Sequence, residues 1–149
     1  MGMTNLTGGC LCEAIRYTCD APPLGGGHCF CSDCRKSSGT AHCSHLVVPR
    51  ARLELTGTPT TYDRKADSGN LVTRAFCGRC GSPIYSTNSA MPDVVFIRAS
   101  SLDDPERFVP SMIVYASRAP SWAHLDDHLV TFPEMAPAAQ QPTKLDSTP

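Results

Sequence analysis

The chain has 149 residues, 41% of them hydrophobic, with 13 Lys+Arg against 14 Asp+Glu. That length and apolar content fit one domain with one ordinary core, and the balanced charge excludes a generic electrostatic case for nucleic acid or an anionic membrane. No apolar run approaches the length of a bilayer span.

The start, "MGMTNLTGGC", lacks a basic stretch leading into an apolar one, which argues against a secretory leader and for a cytoplasmic protein. Gly8 and Gly9 open the chain loosely, and 12–19, "CEAIRYTC", alternates polar and apolar as a half-buried strand does. The stretch 21–27, "APPLGGG", reads as a loop, because two prolines and three glycines sustain neither strand nor helix. "CSDCRKSSG" then reads as a tight turn entering a short helix, ended by Gly39.

From there β-rich runs follow at 42–49, 51–57, 60–63 and 70–77, parted by Gly, Pro or Asp. Residues 78–86 make a second turn and return as a strand; 93–100 and 111–117 are further strands, with a turn or short helix at 101–107. Seven or more short strands with turn signals predict a mostly β fold of antiparallel sheets with one or two short helical turns. The stretch 136–149, rich in Pro, Ala and polar residues, is expected to be a flexible tail, leaving 1–135 as the domain.

Nine cysteines carry the chemistry, grouped as Cys10-x-Cys12, Cys29-x-Cys31-x-x-Cys34 and Cys77-x-x-Cys80, with Cys19 and Cys43 alone. An odd count without an export signal disfavours a disulfide frame. Residues i and i+2 of an extended segment point the same way, and a Cys-x-x-Cys turn curls around an ion, so two such pairs can make a closed four-thiolate site. Cys29, Cys31 and Cys34 combine both spacings and can reach one metal ion with no fourth cysteine beside them. Three protein ligands plus water or substrate is the arrangement of a catalytic zinc. His28, His42, Cys43 or His45 as a fourth ligand would close it, and spacing alone does not decide. A thioredoxin-like role for Cys31-x-x-Cys34 lacks the βαβ setting it requires. Cys19 and Cys43 read as small buried hydrophobes.

In order, "GGCLC", "HCFCSDCRKSSGT", "FCGRCGSPIY" and "SWAHLDDHLVTFPE" resemble the glutathione-dependent formaldehyde-activating family, which includes centromere protein V, over most of residues 8–134. The resemblance implies a zinc-bound β-tent with two zinc ions per chain. One would be structural, on Cys10, Cys12, Cys77 and Cys80; the other catalytic, on Cys29, Cys31 and Cys34 with its fourth position open. It further implies a carbon–sulfur lyase type of reaction on a small thiol adduct, such as a glutathione–formaldehyde hemithioacetal, or on a related carbonyl or imine compound, with glutathione or another thiol as partner. The alternative is a non-catalytic zinc scaffold or interaction domain.

For such chemistry His28, His42, His45 and His124 are candidate proton carriers. Arg35, Lys36 and Arg118 are candidates to meet substrate carboxylates, and Trp122 either walls the pocket or joins the core. Phe30, between paired cysteines, is expected to make the site drier.

Overall fold

A computed structural model describes residues 5–141. The ends of the sequence-defined domain and tail, 1–4 and 142–149, lie outside the described residues. Eleven strands, one α-helix and a few 3-10 turns make up the described chain. A three-stranded sheet has the order β1 (Leu6–Gly9), β2 (Arg16–Cys19), β5 (Leu53–Thr56). An eight-stranded sheet contains β3 (Gly25–Cys29), β4 (Cys43–Pro49), β6 (Thr60–Lys65), β7 (Leu71–Phe76), β8 (Pro83–Asn88), β9 (Val94–Arg98), β10 (Met112–Val114) and β11 (Val130–Thr131). Its order is β11-β10-β3-β4-β9-β8-β7-β6. The mostly β fold read from the sequence is the fold observed.

Pairing is antiparallel except at one edge, where β10 runs parallel to β3 and β11. β3 also corrects the loop expected at 21–27: its glycines lie inside the sheet. A Cβ at Gly26 would come within 2.3 Å of the His45 carbonyl oxygen, and one at Gly27 within 2.4 Å of that of Met112. Neighbouring backbones approach so closely here that only glycine fits, and a strand without side chains shows no alternation for a sequence reading to find.

Period-2 alternation along the large sheet decides what each face does. Leu46 and Val48 of β4, with Val95 and Ile97 of β9, point to the main core, where they join Leu6, Ile15, Tyr17, Ile84 and Leu102. Cys10 and Cys77 belong to this core, and Cys12 and Cys80 pack against it. Cys43, His45, Val47, Phe96 and Arg98 occupy the alternate positions and face the other way.

The helix α1 (Ser32–Ser38) starts where the Cys34 amide donates to the Cys31 sulfur, making Cys31 the N-cap, and stops at Gly39 with φ 77°. The stop at Gly39 is the one read from the sequence, whereas the cap at Cys31 emerges only in the structure. At the far end of the described chain, Ala136 is buried beside Val114 and the Cys29–Cys34 sulfurs, and Gln141 donates to its carbonyl.

Candidate metal centres

The sulfurs of Cys10, Cys12, Cys77 and Cys80 lie within 4.8 Å of one another. Cys10 and Cys12 leave the end of β1 and the turn that follows it; Cys77 and Cys80 frame the turn between β7 and β8. Measured separations are 3.6 Å for Cys10–Cys12 and 3.7 Å for Cys12–Cys77. A tetrahedral zinc with Zn–S bonds of about 2.3 Å has sulfur–sulfur edges of about 3.8 Å, so donor set and spacing fit such an ion. The Cys80 thiol is pulled down to about 5, first by the Ser82 hydroxyl and then by the Ser82 and Cys12 amides. A readily formed thiolate suits a metal ligand.

On the opposite sheet face, Cys29 ends β3, Cys31 caps α1 and Cys34 sits in its first turn. Their sulfurs also lie within 4.8 Å of one another, and no further Cys, His, Asp or Glu among the described residues joins all three. Cys31 is pushed well down by hydrogen bonds from the Cys29 and Cys34 thiols, helped by the Cys34 and Asp33 amides. Cys29 and Cys34 move up in return, so the first negative charge of the cluster settles on the N-cap sulfur.

Cys34 is shared with a second grouping that contains Cys43 and His45. The Cys43 thiol donates to the Cys34 carbonyl at 3.1 Å. His45 is partly buried on the cavity floor, and desolvation together with the Arg98 guanidinium holds it well below its ordinary pKa, hence neutral. Arg98 Nη1 donates to His45 Nδ1 at 2.8 Å. A guanidinium has no acceptor, so Nδ1 carries the lone pair and the single ring proton sits on Nε2, 3.5 Å from the Cys34 sulfur. His45 thus faces Cys34 as a donor, the arrangement by which an outer group orients a thiolate. His28 and His42 turn elsewhere: His28 bonds Ser44 Oγ at 2.9 Å, and the two rings meet at 4.7 Å.

A cavity of about 710 Å³ opens over the three cysteines. Its floor is the sheet face carrying His45, Phe96, Arg98, Ser86 and Arg74, and its rim includes Met112, Tyr115 and Arg118. Tyr115 holds a left-handed backbone with φ 56°, uncommon for a tyrosine, and packs against the sulfur cluster. The Arg118 guanidinium stands 5.2 Å from its ring centroid.

Several sequence candidates lie away from this cavity. Phe30 does not make it drier, because the ring is buried with Ala41 and Ile113 and against the His42 ring. Trp122 is 63% exposed and neither walls the cavity nor joins the core. His124, Arg35 and Lys36 are not among the lining residues, whereas Arg118 is. Arg64, Arg74 and Arg98, missed from the sequence, also line it. The available signal was an arginine inside an apolar strand, in "LVTRAF" and "VVFIR".

The model of the family described as "Glutathione-dependent formaldehyde-activating enzyme" matches residues 5–118. A Halomonas elongata protein provisionally named a glutathione-dependent formaldehyde-activating enzyme is 28% identical over 127 residues, 81% of each chain. A crystal structure of a Rhodobacter sphaeroides protein superposes with a TM-score of 0.53 at 18% identity, covering 65% of this chain and 87% of that one. At that identity the likeness is one of fold alone. Among the described residues no helix is long and apolar enough to cross a membrane.

Proposed function

The chain belongs to the glutathione-dependent formaldehyde-activating enzyme family, and from that premise we propose that it is a zinc-dependent enzyme of the carbon–sulfur lyase type. It interconverts a small thiol plus formaldehyde with their hydroxymethyl thioether adduct. The observation that carries this reading is the convergence of Cys29, Cys31 and Cys34, with no fourth ligand group joining all three among the described residues, at the base of a large cavity. Cys10, Cys12, Cys77 and Cys80 are the structural site on the other face, which makes two ions per chain.

In the forward direction the thiol sulfur adds to the carbonyl carbon, the C–S bond forms, the C=O π pair moves to oxygen, and the thiol proton ends there. Zinc, when bound, supplies Lewis acidity that favours the thiolate or polarises the oxygen. The chain's own contribution is to hold three sulfurs at one point, with the α1 amides and His45 Nε2–H satisfying their charge. Phe96 on the cavity floor and Met112 on its rim contribute apolar surface to the cavity that opens over the sulfurs.

The test uses exchange NMR on glutathione and ¹³C-formaldehyde, which reads interconversion of free and bound aldehyde carbon directly. The zinc-loaded protein is expected to accelerate exchange, and Cys31→Ala to return it to the uncatalysed rate with melting little changed. Full acceleration by a folded Cys31→Ala protein refutes the assignment.

A further inference from the structure

The large sheet is an open ladder whose two ends meet. β6 ends it on one side, β10 and β11 on the other, and β3 stands five strand spacings from β6. In a flat sheet that separation is about 24 Å, at about 4.8 Å for each spacing, well beyond an arginine side chain. Yet Arg64 Nε of β6 donates to Asp33 Oδ2 at 3.0 Å, and Asp33 lies in the first turn of α1, just past the end of β3. A second contact repeats the closure: Asp67, in the turn after β6, lies 3.8 Å from Nη1 of Arg118, which follows β10. The sheet therefore curls until its ends face each other, with the cavity between them.

Backbone hydrogen bonds do not close this seam. Among the described residues none joins β6 or the 66–70 turn to β3, β10, β11 or α1. Packing does not close it either, since all six residues of β6 are exposed. The backbone of the turn is tied to itself: the Ala66 amide donates to the Asn70 carbonyl, the Gly69 amide to that of Ala66, and Gly69 turns with φ 89°. Ala66, Asp67, Ser68 and Asn70 nevertheless line the cavity that holds the cysteine sulfurs. Both ion pairs are open to water, with side-chain exposures of 55% and 32% for Arg64 and Asp33, and of 41% and 95% for Arg118 and Asp67. Exposed pairs hold weakly and are screened by salt.

We infer that the β6–β7 hairpin is a flap latched by Arg64–Asp33 and Arg118–Asp67, and that its opening admits compounds to Cys29, Cys31 and Cys34. The first latch grips the very segment that carries the sulfurs, because Asp33 stands between Cys31 and Cys34. Arg118 keeps Glu134, at 3.8 Å, and the Tyr115 ring when Asp67 swings away, so opening strands no bare cation there. Access of this kind is independent of which compound reacts at the cluster.

Zinc-loaded protein is labelled with N-ethylmaleimide and with a maleimide on an uncharged polyethylene glycol chain. Peptide mass mapping then follows Cys31, which lines the cavity, against Cys12, which does not. Asp67→Arg sets two cations against each other at the latch, and Asp67→Arg with Arg118→Asp restores the pair in reverse. The bulky label is expected to reach Cys31 about threefold to fivefold faster in Asp67→Arg, the scale of one exposed ion pair, and near the natural rate in the double swap. In the natural protein that rate rises in about 1 M sodium chloride, where the Debye length falls to about 3 Å, while Cys12 is labelled alike throughout. A Cys31 rate that is equal in all three proteins and indifferent to salt overturns the flap. So does acceleration of Cys12 in step with Cys31, which marks general loosening, or a double swap labelled as fast as Asp67→Arg.

Discussion

Replacing Cys77 by alanine tests the structural role of the four-cysteine cluster. A metal held there would tie the end of β1 to the β7–β8 turn across 65 residues. Closing a loop of that length restricts the unfolded chain by about 4 kcal/mol on the cross-link model. At roughly 3 °C per kcal/mol for a chain of this size, losing the tie lowers Tm by roughly 10–15 °C. The same substitution also empties a sulfur-sized space in the core, and Cys19→Ala controls for that. Cys19 is equally buried in the same cluster, but its sulfur bonds only the Ala21 carbonyl. Cys19→Ala is expected to cost about 1 kcal/mol, the centre of the usual range. Calorimetric melting of both variants, with zinc content measured on the same samples, decides the matter. Equal Tm losses in the two, or a Cys77→Ala protein that keeps all its metal, would sink the argument that this cluster clamps the fold.

His45→Gln is expected to weaken the metal on Cys29, Cys31 and Cys34 by roughly 10–100-fold in competition with a chelator, the usual effect of removing an outer-sphere partner. Stoichiometry at saturating zinc should not change; loss of one whole ion would show instead that His45 is itself a ligand. Asp103 provides a pH signature, since the Arg16 guanidinium, with help from Thr7, holds its carboxyl down at about 2. A depressed carboxyl contributes stability that is complete above its unfolded value near 4 and fades as pH falls through about 2. The Tm gap between the natural protein and Asp103→Asn should therefore be constant near neutrality and close in strong acid, and a gap that persists below pH 2 contradicts the assignment.

What the sequence disclosed was whatever short-range geometry controls. Cys29, Cys31 and Cys34 converge because a strand end and a first helical turn are local structures, and Gly39 ends that helix as its chemistry announces, whereas a cysteine N-cap carries no such signal. The union of Cys10 and Cys12 with Cys77 and Cys80 was different, since spacing offers no register across 65 residues; there the family resemblance named the partners before the geometry did. β3 escaped notice because alternation needs side chains. The arginine floor escaped because Arg64, Arg74 and Arg98 come from three strands that only the sheet makes neighbours. Trp122 misled through its composition alone, as a lone large aromatic is more often buried than left 63% exposed.

The division of labour between the two faces of the large sheet has an evolutionary consequence. One face is committed to packing, with Leu46, Val48 and Ile97 wedged beside the four-cysteine cluster. The other buries Cys43, Val47, Ser86 and Arg98 but elsewhere opens onto the cavity, where partly buried side chains leave room for a change of shape or charge. Substitutions at Val72, Asn88 or Met91, all on the cavity wall, can therefore reshape the cavity while leaving the packed face untouched. A sheet built this way lets one lineage drift in substrate while inheriting the same frame.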